Sequence, residues 1–173
     1  MTDIIIRKET PDDFIQVARL IEMAFCRKNE AMLVEKLRHS KKYNPMLSLV
    51  ADYDGHVIGH ILLFPIMIRS EDSETESLAL APLAVSPEFQ KMGIGGRLIQ
   101  HGMKTARAIG YGSVIVLGHP KYYLRFGFVP AIKWNIKAPF EAPEGAFMAI
   151  EFEQGALKNA GGVVEYPQEF SEL

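Results

Sequence analysis

Between positions 90 and 98 the chain reads Gln-Lys-Met-Gly-Ile-Gly-Gly-Arg-Leu, with three glycines in four positions. The apolar run "LALAPLAV" before it ends at Ser86-Pro87 and reads as a strand. After it, Leu98, Ile99, Met103, Ala106 and Ile109 recur at helical spacing until Gly110 stops the pattern. The glycines therefore occupy a strand-to-helix turn. N–H groups in the first turn of a helix have no internal partners, the helix dipole adds positive potential, and glycine lets a ligand approach the main chain closely. The stretch is either a tight turn or an anion site, with phosphate the obvious anion. Two familiar phosphate-binding patterns are excluded: no G-x-x-x-x-G-K-[ST] is present, and G-x-G-x-x-G fails because position 98 is Leu.

Around this turn the pattern alternates between strand and helix. "DIIIRKET" reads as a strand, and "TPDDFIQVARLIEMAF" as a helix with Thr10 as N-cap and Pro11 at the first position. Phe14, Val17, Ala18, Ile21 and Phe25 form its apolar stripe, and Met32, Leu33 and Leu37 mark a second helix. Two strand-like runs meet at Asp54-Gly55, a hairpin dipeptide, and Pro65 inside the second implies a bulge or an edge position. The strand "SVIVLG", the aromatic segment "HPKYYLRFGF" and a last strand "FMAIEF" follow. The strand–helix–strand from 77 to 118 is a crossover, so its two strands should be parallel within a mostly antiparallel sheet. Residues 154–173 carry no readable pattern.

At 173 residues the chain is long enough for one ordinary domain. No apolar run reaches the roughly 20 residues of a membrane span. The N-terminus has neither a secretory nor a transit pattern, and the single Cys26 suits a reducing cytoplasm. Cys26 itself reads as a buried apolar residue. Residues 88–137 hold eight Lys/Arg against one acid, whereas residues 138–173 hold one Lys against seven acids. The basic segment is where an anionic ligand belongs. With a pI near 6.2 and no basic run interleaved with aromatics, nucleic acid is not the expected partner.

The whole pattern Gln90-Lys91-Met92-Gly93-Ile94-Gly95-Gly96, placed after a strand and opening a helix, resembles the Q/R-x-x-G-x-G/A signature of the GNAT superfamily of acyl-CoA N-acyltransferases. A tyrosine four residues before Gly-Phe in "KYYLRFGF" is similar to that family's second motif. The resemblance covers roughly residues 3 to 153. It implies an α+β fold of three layers, α/β/α, with a mixed, mostly antiparallel sheet and a parallel strand pair splayed at the cofactor site. Residues 1–153 would form a single domain, with 154–173 an extension packed on it that closes the pocket or makes a homodimer contact.

By resemblance, the N–H groups from Lys91 to Gly96 cradle the pyrophosphate of coenzyme A, and Leu83, Ala84 and Val85 pair with its pantetheine arm. Gln90, Lys91 and Arg97 are candidate side-chain helpers, and His119 a candidate cofactor contact or structural residue. Acetyl-CoA is the implied cosubstrate, with no metal and a small-molecule or protein amine as acceptor. The late acidic segment favours a cationic acceptor.

Acyl transfer to an amine needs a neutral nucleophile and a proton for the departing thiolate. Tyrosine, with a pKa near 10, stays protonated and can supply that proton. Tyr123 matches the family's general-acid position, and Tyr122 beside it reads as aromatic packing. Glu76, before the glycine-loop strand, is the candidate general base or a solvated surface acid. His56 and His60 lie on one strand face about 13 Å apart, too far to share an ion. The implied activity is direct transfer in a ternary complex. A non-catalytic acyl-CoA-binding or sensing module, or an enzyme for another phosphate-bearing ligand, is the competing reading.

Overall fold

Asp13 organises the start of the chain. Its carboxylate accepts hydrogen bonds from Thr10 N–H at 2.8 Å, from Thr10 Oγ1, and from both terminal nitrogens of Arg7 at 2.7 and 2.9 Å. Thr10 and Pro11 therefore begin a helical segment as their sequence requires, through one 3-10 turn, Pro11–Asp13, that leads into α1 (Phe14–Phe25). In the computed structural model, which describes residues 3–171, α1 follows β1 (Ile4–Lys8) and precedes α2 (Asn29–Arg38). The hairpin of β2 (Ser48–Tyr53) and β3 (His56–Arg69) comes next. Its turn residues Asp54 and Gly55 both have positive φ, 53° and 80°, as the tight hairpin turn demands.

β4 (Glu74–Val85) leads through the glycine loop into α3 (Ile94–Ala108) and then β5 (Ser113–Leu117). The short α4 (Pro120–Leu124) precedes β6 (Val129–Pro130), β7 (Ile136–Lys137), β8 (Phe147–Glu151) and β9 (Gly162–Glu165). The strand order is β1-β2-β3-β4-β5-β8-β6, with β9 pairing both β3 and β7. β4 and β5 are parallel, with Leu78 opposite Val114 and Ala79 opposite Ile115, as the crossover predicted. The β1–β2, β2–β3, β5–β8 and β6–β8 pairs are antiparallel, so the sheet is mixed and mostly antiparallel. Pro65 falls between the residues of β3 registered with β2, which end at Leu62, and those registered with β9, which begin at Met67. It thus occupies a local edge, where a missing N–H costs least.

Contacts divide the chain into two units, each assembled from separate stretches. The first runs to Phe64, includes Ala81–Thr105, and resumes at Gln168. In it, Val17, Leu20 and Ile21 of α1 and Leu33, Val34 and Leu37 of α2 form a core with Val50, Leu62 and Phe64 of the strands. On the opposite face α3 lies so close to β3 that a Cβ on Gly59 would meet Leu98 at 2.9 Å and Ile94 at 3.2 Å. Helices on both faces of these strands make the expected three layers. The second unit comprises Pro65–Leu80 and Ala106–Pro167. Its strands bury Val114, Ile115, Met148 and Ala149, and Ser77 and Ser113 share a buried 2.7 Å hydrogen bond across β4 and β5.

Several sequence expectations change here. Met32 is exposed, while Ala31 and Val34 turn inward, because a ten-residue helix on one face buries only one stripe. Phe25 is exposed as well. Cys26 is exposed rather than buried, since it terminates α1 in the left-handed conformation, φ 56°. Residues 154–171 contribute to both units. β9 belongs to the second unit, whereas Phe170 returns to the first and packs on Phe64 with ring centres 6.3 Å apart.

Hydrogen bonding from Arg7 holds the Asp13 carboxyl at about 2, below its ordinary 3.8. A depressed carboxylate adds stability above its unfolded value and loses it as pH falls towards the folded one. Asp13→Asn should lower stability by about 1.5–3 kcal/mol at pH 7, the range for a charge-assisted bond, and by progressively less below pH 4. Urea melts of both proteins across that range check this.

Candidate active site

The glycine loop lies wholly in the first unit. β4 ends at Val85, a 3-10 turn spans Pro87–Phe89, and Ser86 N–H donates to Ile58 O at 2.8 Å, tying the turn to β3. Lys91 and Gly93 then adopt positive φ, 64° and 81°, which reverses the chain into α3. Gly93 can take this conformation without a side-chain penalty, and Lys91 bears one. The first intrahelical bond runs from Arg97 N–H to Gly93 O at 3.1 Å. The N–H groups of Ile94, Gly95 and Gly96 thus form the first turn of a fifteen-residue helix, where no i−4 carbonyl exists for them. Ile94 is buried and anchors the turn, whereas Lys91 and Met92 are exposed.

Two side chains predicted to reach the ligand are engaged elsewhere. Gln90 Nε2 donates to Val85 O at 3.2 Å, closing the loop back onto β4. Arg97 Nη2 donates to Ile4 O at 2.8 Å, fixing α3 to the start of β1. The anion-binding capacity of this loop is therefore chiefly its main chain. Leu83 and Val85 are half-buried, and Ala84 between them faces the core with Leu62 and Phe64.

The predicted acid lies in the second unit. His119 caps α4, and its carbonyl accepts from both Tyr122 N–H and Tyr123 N–H. His119 itself is exposed. Tyr123 is buried over Gly118 and makes edge contacts with Tyr122 at 5.1 Å and Phe128 at 5.6 Å. Burial raises its phenol well above the ordinary tyrosine value, so it is a protonated acid at any ordinary pH. Tyr122 is half-buried, packs on Phe126 at 5.3 Å and carries Arg125 over its ring, which suits an aromatic support.

Glu76 does not join that tyrosine. The register of β4 on β5 sets Glu76 level with Gly112, at the opposite end of β5 from Gly118. Six residues of strand separate the two levels, about 20 Å. Glu76, the candidate base, lies within β4 rather than before it, is exposed and is hydrogen-bonded to Tyr111. Among the described residues no group of three His, Cys, Asp or Glu is arranged to hold a metal ion. Nor is any described helix long and apolar enough to cross a membrane.

Sequence reasoning missed Gly118. A Cβ there would stand 2.4 Å from Cε2 of Tyr123, so only glycine lets the ring lie on the strand end. Its place immediately after an apolar strand and five residues before the tyrosine was the available signal.

Residues 15–128 match the model of the "Acetyltransferase (GNAT) family". The N-acetyltransferase YhbS of Escherichia coli K12 is 33% identical over 168 residues, 96% of this chain and 98% of its own. YjhQ of the same strain, also named an N-acetyltransferase, is 44% identical over 122 residues, covering 70% and 67%. The crystal structure of E. coli YhbS in complex with CoA superposes with a TM-score of 0.92 at 30% identity, over 100% of this chain and 94% of that one. A GNAT acetyltransferase from Brucella melitensis in complex with acetyl-CoA gives 0.77 at 32% identity, covering 97% and 98%.

Gly118→Ala should destabilise the protein by about 1–3 kcal/mol, the usual range for overpacking. The same change made in a Tyr123→Leu background should cost clearly less, because the clashing ring is gone. Denaturant melts of the two singles and the double measure this coupling.

Proposed function

The chain belongs to the GNAT family of acetyltransferases and is an N-acetyltransferase; on that premise we propose how its own residues serve the reaction. The observation that carries the reading is the first turn of α3, whose N–H groups at Ile94, Gly95 and Gly96 have no partner within the helix, opened by Gly93 at the end of the loop that follows β4. Such a cradle fits a pyrophosphate, because the donors are pre-oriented and the helix dipole adds to them. Relatives in complex with CoA and acetyl-CoA support the same ligand here. Acetyl-CoA, when bound, supplies the activated acetyl thioester. The backbone at Leu83 and Val85 would hold its amide-bearing arm in the manner of an added strand. The exposed Lys91 adds positive charge nearby.

Tyr123 would donate a proton to the departing thiolate. A thiol-like leaving group with pKa about 8.5 is a stronger acid than a phenol held above 10, so the transfer has to be concerted with bond cleavage. The acceptor is an amine that attacks in its neutral form, in direct transfer with no acyl-enzyme. The acidic segment 138–173 supports a cationic acceptor, and the lone Cys26 supports action in the cytoplasm.

Incubation with acetyl-CoA and a panel of amines, followed by release of free CoA thiol, tests the reading. CoA binding without turnover on any amine would instead fit an acyl-CoA sensor. Tyr123→Phe should lower kcat about 100-fold and leave CoA affinity unchanged. Gly95→Glu, which sets a carboxylate at the helix start, should weaken CoA binding at least about tenfold in calorimetry. Because burial raises the Tyr123 phenol, the wild-type rate should rise with pH as the amine deprotonates, with no loss through Tyr123 below pH about 10.

A further inference from the structure

A buried polar chain crosses the first unit beneath α1 and α2. Glu9 follows β1, and its side chain is fully buried. It is paired with Arg38 of α2 and accepts hydrogen bonds from Ser48 Oγ at 2.6 Å and from Tyr43 Oη at 3.3 Å. His60 Nε2 lies 3.1 Å from the same Ser48 Oγ and 3.8 Å from Glu9 Oε1. His60 is wholly buried, and its Nδ1 meets no hydrogen-bond partner among the described residues.

The donors and acceptors in this chain can be assigned. A carboxylate only accepts, so the single Ser48 hydroxyl proton is spent on Glu9. Ser48 Oγ must then accept from His60, which puts the imidazole proton on Nε2. Nδ1 is left with a bare lone pair in a low-dielectric interior, an acceptor that costs free energy unless something donates to it.

His60 is also placed towards the proposed donor-arm strand. It is registered with Val50 of β2 on one side. On the other, the Ser86–Ile58 bond sets Ala84 opposite His60 two residues further along the adjacent strands. Ala84 shares the core face with Leu62 and Phe64, so only a methyl group stands on β4 beside the imidazole. Two strand spacings, about 10 Å, separate the backbone of His60 from an arm lying along the far edge of β4.

We infer that His60, Ser48 and Glu9 form a proton relay for the acceptor amine. The inference rests on the reading above that Leu83 to Val85 hold the acyl donor. The ammonium N–H bond breaks and its proton, passed through one water, forms Nδ1–H on His60. The Nε2–H proton moves to Ser48 Oγ, and the Ser48 hydroxyl proton moves to Glu9 Oε2. The imidazole changes tautomer and never carries a full positive charge. This matters because burial lowers its basicity, to a pKa of about 4, against the opposing pull of Glu9 and Asp13, with Arg38 lowering it further. After the product departs the three transfers run in reverse and the proton returns through the same water to solvent. This restores the bare Nδ1, the Ser48 hydroxyl and the Glu9 carboxylate, which also accepts a hydrogen bond from the half-buried Tyr43 phenol. His60 is a positioning residue, since it acts through the water.

Nitrogen-15 spectra of histidine-labelled wild-type protein give the first test. A bare Nδ1 with a protonated Nε2 is expected for His60, with an upfield Nδ1 shift when acetyl-CoA and an active amine are both present. A protonated Nδ1 in the free protein would overturn the relay whatever the activity. Kinetics give the second test. His60→Gln keeps a donor to Ser48 but cannot change tautomer, and Ser48→Ala cuts the chain beyond it. Each should lower kcat about 10- to 100-fold with KM for acetyl-CoA unchanged, and the double variant should be no worse than either single. Folded variants that keep wild-type kcat would refute the relay and leave the acetyltransferase reading standing. A wild-type protein that binds CoA but acylates no amine would sink both.

Discussion

No α-helix can satisfy the N–H groups of its own first turn, and that constraint governs the turn from β4 into α3, where the proposed cradle lies. The N–H groups of Ile94, Gly95 and Gly96 lack a partner within α3 because the helix begins at Ile94, directly after Gly93 with φ 81°. They are held in place because α3 presses on β3 at Gly59, because Ile94 is buried, and because Arg97 is bonded to Ile4 O. Gln90 closes the loop on Val85. Each of these contacts serves to fix one end of one helix beside the C-terminal half of β4. With Gln90 and Arg97 engaged on Val85 and Ile4, the donors of the proposed cradle are main-chain N–H groups, with Lys91 the exposed charge beside them.

The polar chain under α1 and α2 stands in contrast, being made almost wholly of side chains. Burying Glu9 with Arg38 brings a desolvation cost that a pair of apolar residues would avoid. Ser48, Tyr43 and the stacking of Arg38 on Phe14, 3.9 Å from the ring centre, offset part of that cost. Among the buried side-chain atoms of the described residues, His60 Nδ1 is left without a hydrogen-bond partner. A network satisfied at every atom but one is more economically explained by a task at that atom than by stability.

Elements whose signal is local were legible in the sequence. Thr10-Pro11, Asp54-Gly55 and the glycine loop each encode their own backbone conformation, and each forms where it was read. The parallel pairing of β4 and β5 followed from the crossover through α3. Less legible were the strands β6, β7 and β9, which are only two to four residues long and are held by their partners rather than by their own pattern. Apolar character says only that a residue can be buried: helix phase turns Met32 outward, and the left-handed C-cap of α1 exposes Cys26.

Sequence by itself determined the family and the backbone of the glycine loop, and it singled out Tyr123 for the proposed acid, because each depends on residue types at short, fixed spacing along one element. Tertiary structure decided which distant residues meet. Strand register set Glu76 at the far end of β5 from Gly118, and the same kind of register brought Ser48 of β2 and His60 of β3 together with Glu9, the residue after β1. The lone histidine that motif reading could weigh only as a metal ligand became the end of a hydrogen-bonded relay. Its meaning depended on Ser48 and Glu9, 12 and 51 positions away, and no spacing rule along the chain carries that pairing.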